Sequence, residues 1–288
     1  MILNFGSINL DLVYRVPHLP APGETLASSS FMRYLGGKGI NQSIAVARAG
    51  GTVHHIGCLG PDGGWLREQI AGFGLSLDGI ATVDVPTGHA VIFVDEAAEN
   101  QIVLFGGSNH AFTQDQIDRA LAQASAEDWV LLQNETNLVP YVAQTAKARG
   151  LKVAYSAAPF DAVAVREVLD HIDLLALNEG EAAALASDLG RGASDLGLDH
   201  VLITKGADGA ELHSADQVFH QGSFAVESID TTGAGDTFLG AFMARFVDGD
   251  VAHALEFAAA ASALQVTRQG AAAAIPDKAE VEAFLRVR

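Results

Sequence analysis

The run Asp230-Thr-Thr-Gly-Ala-Gly-Asp-Thr-Phe-Leu-Gly-Ala-Phe242 opens with an acid, passes through small residues, places a second acid at Asp236 and then turns apolar. Phe238, Leu239, Phe242 and Phe246 fall on one face of a helix at that spacing. Gly233, Ala234 and Gly235 leave little bulk over the helix start, where amides lack intrahelical partners and carry the positive end of the dipole. Such amides suit a phosphate oxygen, or the charge that develops during phosphoryl transfer. Asp236 at that mouth suits the base that takes a proton from an attacking alcohol. Plainer readings compete, since acids cap helices and Gly-Ala-Gly also makes turns. A dinucleotide fingerprint fits poorly: the third glycine position holds Phe238, and the run lies late in the chain. There is no Walker A sequence either, because Lys38 is followed by Gly39.

Upstream of this run, from about residue 113, apolar patterns alternate between helical and extended. Helices are expected at 113–125, 137–149 and 161–170, and strands at 128–133, 151–156, 172–177 and 201–204. That alternation predicts an α/β fold with a mostly parallel sheet covered by helices on both faces. Ligands in such sheets gather at the C-terminal strand ends. Glu135, Ser156 and Asn178-Glu-Gly-Glu181 fall there. Hairpin-like strands follow to about 227. Beyond the central run come an alanine-rich helix from 251 to 268, ended by Gly270, and a last helix at 278–286.

Nearer the N-terminus, residues 2–8 read as a strand, and Asn9 and Asp11 share a face of an extended segment. Two hydrogen-bonding groups on one face suit a polyhydroxylated ligand. Residues 24–35 alternate like a β-ribbon, and Gly36-Gly-Lys-Gly-Ile-Asn-Gln42 leads into a helix of small residues. Its glycines permit close approach to a ligand, with Lys38 and Asn41 as polar contacts. A strand at 52–59 and a helix at 63–73 follow. Strands at 83–93 and 101–105, separated by a polar turn at 95–100, are expected to join residues 11–37 in a small separate sheet.

Composition narrows the function classes. At 288 residues, 49% hydrophobic, the chain can bury one large core. Its formal net charge of −18, without a basic run, argues against nucleic acid or an anionic membrane as partner. The single cysteine, Cys58, reads as a small buried hydrophobe. The ten histidines lack metal-ligand spacing. No signal peptide or membrane-spanning run is seen, so a soluble, cytoplasmic protein is the expectation.

Taken together, these residues resemble the ribokinase (PfkB) family of sugar kinases. Residues 36–42 resemble its N-terminal signature and residues 230–238 its C-terminal one, about 190 positions apart, while 6–11 and 20–25 add to the likeness. The resemblance implies a three-layer α/β/α domain over residues 1–288 with a β-sheet lid from about 11–37 and 88–107. It implies ATP-dependent phosphorylation of a primary hydroxyl of a free sugar, D-ribose first. Asp236 would be the base, and Gly233, Ala234 and Gly235 the anion hole. Asn9, Asp11, Gly37, Lys38 and Asn41 would line the sugar site, with Glu135 nearby. Nucleotide contacts would fall at Asn178, Thr204, Gly206 and Gly235, and at Ala259, where relatives often carry Asn or His. Glu181 would organise Mg2+ through water. Asp230, Thr232, Gln265, Arg268 and Gly270 match positions that hold K+ in relatives, whose further Ser hydroxyl aligns with Ala274. A homodimer joined through the lid edge is a further expectation.

Other acceptors stay open: fructose, ketodeoxygluconate or a nucleoside, the last with Phe31 or Tyr34 as stacking partner. So do two other classes, a non-catalytic sugar- or nucleotide-binding protein and a dinucleotide-dependent oxidoreductase. The intact Gly-Ala-Gly-Asp argues against the first, and the missing fingerprint after the first strand against the second.

Overall fold

Residues two apart on a strand point to the same face of a sheet, and strands buried on both faces are apolar throughout. The central strands of this chain have that character. In the computed structural model, which describes all residues except Ala98, Ala193, Ser194, Ala215, Asp216 and Arg288, they form the middle of a nine-stranded sheet.

The elements, in chain order, begin with β1 (Ile2–Phe5), β2 (Asn9–Arg15), β3 (Ser30–Gly36), α1 (Lys38–Arg48), β4 (Val53–Leu59), α2 (Gly64–Gly72) and β5 (Ile80–Thr82). They continue with β6 (His89–Val94), β7 (Asn100–Phe105), α3 (Gln114–Leu121), β8 (Trp129–Gln133), α4 (Val139–Ala148), β9 (Lys152–Ser156), α5 (Ala162–Val168) and β10 (Leu174–Asn178). The last are α6 (Glu179–Leu189), β11 (His200–Thr204), β12 (Ala210–Ser214), β13 (Gln217–Gln221), α7 (Ala234–Phe246), α8 (Val251–Val266) and α9 (Lys278–Leu285).

The large sheet runs β13-β12-β11-β10-β9-β8-β1-β4-β5. It is parallel from β5 to β11 and antiparallel at β12 and β13. Alternate strand residues feed two cores. Leu3, Phe5, Val130, Leu132 and Leu177 pack with α3 to α6. Ile2, Leu131, Ala176 and Leu202 pack with α7 and α8. The three-layer α/β/α expectation therefore holds. Phe238, Leu239, Phe242 and Phe246 all lie in the second core, as the spacing of α7 required. Gly240 lets α7 and α1 touch, since a Cβ there would stand 2.5 Å from Ala45 Cβ and from the Gln42 carbonyl oxygen. That contact brings the N-terminal turns of the two helices together.

A separate four-stranded sheet, β3-β2-β6-β7, stands over one end of the molecule. The strands of the N-terminal half differ from expectation in three places. The first strand stops at Phe5, and Ile8 N–H donates to the Asn109 side chain rather than continuing a ladder. Residues 24–29 form no strand; the Glu24 carboxylate instead accepts from Ala21 N–H and bonds His18 in a turn. The strand expected at 83–93 is confined to 89–94. Pro86 cannot donate to a ladder, and Thr87 gives its N–H and hydroxyl to Asp62 at 2.9 and 2.6 Å. Ile80–Thr82 joins the large sheet instead. Ala98 in the polar turn, and Ala215 and Asp216 in the later hairpin, lie outside the described residues.

Candidate active site

The order of the large sheet reverses at β1. The chain leaves β1 for the small sheet and α1, returns on one side through β4 and β5, and later fills the other side from β8 onward. The crevice beyond the C-terminal ends of β1 and β8 is thus the expected ligand site. Two clefts open there. One, of about 590 Å³, lies between the small sheet and the loops before α7 and after α8, and is lined by Asp11, Arg15, Tyr34, Asp230, Thr231 and Ala271 among others. The other, of about 190 Å³, is lined by Lys38, Ser156, Asn178, Glu181, Thr204 and residues 233–236. Thr231 borders both, so the clefts meet at the N-terminus of α7.

Gly233 caps that helix in the left-handed region, at φ 77°, where a side chain would be strained and would also stand 3.1 Å from Ala271 Cβ. Nothing lies within 4 Å of a Cβ built on Gly235, which leaves room over the first amides for an anion. Asp236, one turn in, is 9% exposed. Its Oδ2 accepts from Asn41 Nδ2 at 3.1 Å and its Oδ1 from Gln42 Nε2 at 3.0 Å. Burial raises its pKa above the usual carboxylate value, against the opposing Lys38 charge and the two amide bonds.

The Asp236 contact belongs to a buried polar chain. Gln133 Nε2 donates to Gln42 Oε1 at 2.8 Å and to Asn4 Oδ1 at 2.9 Å. Asn4 Nδ2 in turn donates to Gly39 O and Ser43 Oγ, and Ser43 bonds His55 Nδ1 at 2.8 Å. His55 stays neutral, its pKa pushed down to about 3 chiefly by burial. Sequence reading missed Asn4, Gln42, Ser43 and Gln133. Isolated amides carry no motif, and only α1 lying against α7 and β1 against β8 makes them neighbours.

Asn9 and Asp11 do stand on one strand. Asn9 Oδ1 accepts from Asn109 Nδ2 at 2.7 Å, a further partner that sequence reading left unassigned. Asp11 packs so closely on Gly36 that a Cβ there would lie 1.9 Å from its Oδ2. Burial first, and then the Glu135 charge, raise its pKa to about 7. Glu135 accepts from Lys38 N–H at 3.0 Å and from the Ser7 hydroxyl, so it closes the α1 N-terminus whose own cap, Gly37, offers no side chain. Asn41 Oδ1 is buried without a protein partner.

Some expected residues fall elsewhere. Lys38, grouped with the sugar contacts, lines the second cleft. Ala259 is 6% exposed and packed in the α7–α8 core. Gly206 lies two residues beyond Thr204, in the turn after β11. Phe31 packs against Tyr14, with ring centroids 4.9 Å apart and the planes tilted by 35°, on the face of the small sheet opposite Asp11, which leaves Tyr34 as the aromatic ring of the first cleft.

Asn178 and Glu181 form a reciprocal capping box on α6, with Asn178 N–H donating to Glu181 Oε2 and Glu181 N–H to Asn178 Oδ1. This fixes the Glu181 carboxylate at the second cleft, which fits an ion held mainly by nucleotide phosphates and water. The set matched to K+ does not fit a cation. Gln265 Nε2 already donates to the carbonyls of Thr232, at 2.6 Å, and Gly270, at 3.2 Å. Asp230 Oδ1 accepts from Thr232 N–H and Oδ2 from Gly270 N–H, both at 2.9 Å. Burial raises the Asp230 pKa, but these bonds and the Arg15 charge outweigh it and hold the group below its ordinary value. Arg268 pairs with Glu280, and Ala274 has no hydroxyl to offer. Gly270, expected to end α8, stands beyond the helix end at Thr267.

A two-cleft α/β/α fold with a buried acid behind a helix N-terminus defines a kinase of small hydroxylated substrates. The chain belongs to the pfkB family of carbohydrate kinases, whose model matches residues 1–278. It is 37% identical to the ribokinase of Haemophilus influenzae, over 97% of this chain and 96% of that one. Among solved structures, a Thermotoga maritima ribokinase superposes with a TM-score of 0.88 at 33% identity, covering 99% of this chain and 98% of its own. An Arabidopsis thaliana ribokinase, complexed with ribose and ATP, matches at a TM-score of 0.85 and 30% identity, over 99% of this chain and 97% of its own.

Proposed function

We propose that this chain transfers the γ-phosphoryl group of ATP to the primary hydroxyl of D-ribose, giving ribose 5-phosphate. The observation that carries this reading is the meeting of the two clefts at Thr231, in the loop entering α7, with buried Asp236 in the wall of the second cleft. Support for ribose comes from the ribokinase relatives and from Asp11 in the wall of the first cleft, with the polar side chains of Asn9 and Asn41 buried.

The sugar lies under the small sheet with its hydroxyls on Asn9, Asp11 and Asn41. The sheet acts as the lid of the single domain, covering the acceptor so that water does not compete for the phosphate. Asp236 accepts the proton of the primary hydroxyl, and that oxygen attacks the γ-phosphorus in line. The raised Asp236 pKa makes the carboxylate a stronger base, which favours uptake of the proton as the oxygen–phosphorus bond forms. The amides at residues 233–236 receive the equatorial oxygens, and Lys38 adds positive charge from the second cleft. Mg2+, held through water on Glu181 and by the nucleotide phosphates, would supply charge compensation there. The leaving ADP rests along Asn178, Thr204 and the turn at Gly206.

Tyr34 in the first cleft favours one second reading, a nucleoside acceptor stacked on its ring. ADP formation with ribose, 2-deoxyribose, fructose, ketodeoxygluconate and adenosine separates the two. A higher kcat/KM for ribose than for every other acceptor is expected, with the product identified as the 5-phosphate. A preference for adenosine would replace ribose and keep the chemistry. Two copies are proposed to pair through the exposed edge strand β7, whose Ile102, Val103, Leu104 and Phe105 are 46–60% exposed.

A further inference from the structure

Gln265 is fully buried at the end of α8, yet it faces main-chain carbonyls rather than apolar side chains. Its amide nitrogen bridges Thr232 O, in the loop entering α7, and Gly270 O, in the loop leaving α8. The orientation follows from the partners: turning the amide over would press Oε1 against two carbonyl oxygens. Oε1 is accordingly left buried without a partner. The same two loops are tied again through Asp230, which takes Thr232 N–H on one oxygen and Gly270 N–H on the other. Two converging carbonyl dipoles beside a carboxylate repel each other unless positive charge stands between them. A bound cation supplies that charge in an oxygen-lined site; here the two amide hydrogens of Gln265 supply it.

We infer that the Gln265 carboxamide takes the place of a monovalent cation, holding the Thr232–Gly233 turn in register with the anion hole so that phosphoryl transfer does not need K+. Gln265 is a positioning residue in this account, acting through Thr232 and Gly233 without touching substrate. Two further features agree with it. Ala274 gives no hydroxyl to a cation, and the main-chain carbonyl of Gln265 is already bonded to Arg268 N–H at 3.0 Å. The inference rests on the kinase reading for its activity arm only.

The test compares wild type, Gln265→Ala and Gln265→Glu in choline chloride and in KCl at equal ionic strength. Ribose-dependent ADP formation and the melting midpoint of each unliganded protein are recorded. Wild type is expected to be indifferent to K+ in both readouts. Gln265→Ala, which opens the carbonyls to an ion, is expected to lose about tenfold or more of kcat in choline, the scale of a misplaced reacting group. K+ should restore much of that loss and raise the variant's melting midpoint. Gln265→Glu keeps the volume and replaces the donors with a carboxylate, so it should be stabilised by K+ even where the alanine variant folds poorly. Strong K+ activation of wild type would overturn the inference. So would a Gln265→Ala enzyme as active as wild type in choline, or one whose defect no cation relieves. If wild type phosphorylates no acceptor, the kinase reading fails, and the K+ dependence of the melting midpoints alone decides the inference.

Discussion

Asp11 is charged or neutral according to pH within the ordinary working range, because burial and Glu135 lift its pKa to about 7. As an acceptor for sugar hydroxyls it works best ionised, so KM for ribose should fall as pH rises through about 7 and level off above it. Asp11→Asn should flatten that profile. The stability effect has the opposite sign. The folded value lies above the unfolded 3.8, so the native state holds the extra proton between 3.8 and about 7, and stability falls as pH rises through that window. Asp11→Asn should therefore lessen the loss of stability between pH 5.5 and 8, read from urea midpoints. Gly36→Ala should raise KM for ribose much more than it lowers kcat, since its Cβ would fall on the Asp11 carboxylate. At this scale the acids were legible in the sequence, because an acid in a glycine-rich or alternating setting has few uses. The amides were not. Asn4, Gln42 and Gln133 sit in ordinary strand and helix contexts, and only contacts across 35 to 194 residues of chain give them a role.

The elements place these groups by packing more than by local propensity. The close approach of α7 to α1 at Gly240 sets Asp236 against Asn41 and Gln42, so Gly240→Ala should lower both stability and kcat. The α6 N-terminus relies on the reciprocal Asn178–Glu181 box. Asn178→Ala should cost about 1 kcal/mol in equilibrium unfolding. It should also raise KM for ATP more than KM for ribose, because the box faces the second cleft. Helix and strand alternation between residues 113 and 178 was legible because each strand there is mostly an apolar run and each helix between them carries polar residues. The small sheet was less so. A half-exposed strand gives a weak pattern, and the start of β6 at His89 depends on Thr87 being tethered to Asp62, which sequence spacing does not reveal.

Over the whole molecule, the sheet reversal at β1 brings two clefts together at the loop entering α7, with the small sheet above the first. Among the described residues no helix is long and apolar enough to cross a membrane. The exposed apolar edge of β7 predicts a dimer, so light scattering should give twice the 30.0 kDa chain mass. Val103→Lys on that edge should shift it toward the monomer. Phosphoryl transfer is proposed to depend on Asp236, at the N-terminus of α7 in the second cleft, as the base. This dependence is tested most directly by ribose-dependent ADP formation in Asp236→Asn beside wild type, with ribose binding followed by calorimetry. The account predicts a kcat lower by about 10²–10⁴-fold in the variant with ribose still bound. A variant that retains wild-type kcat would contradict it.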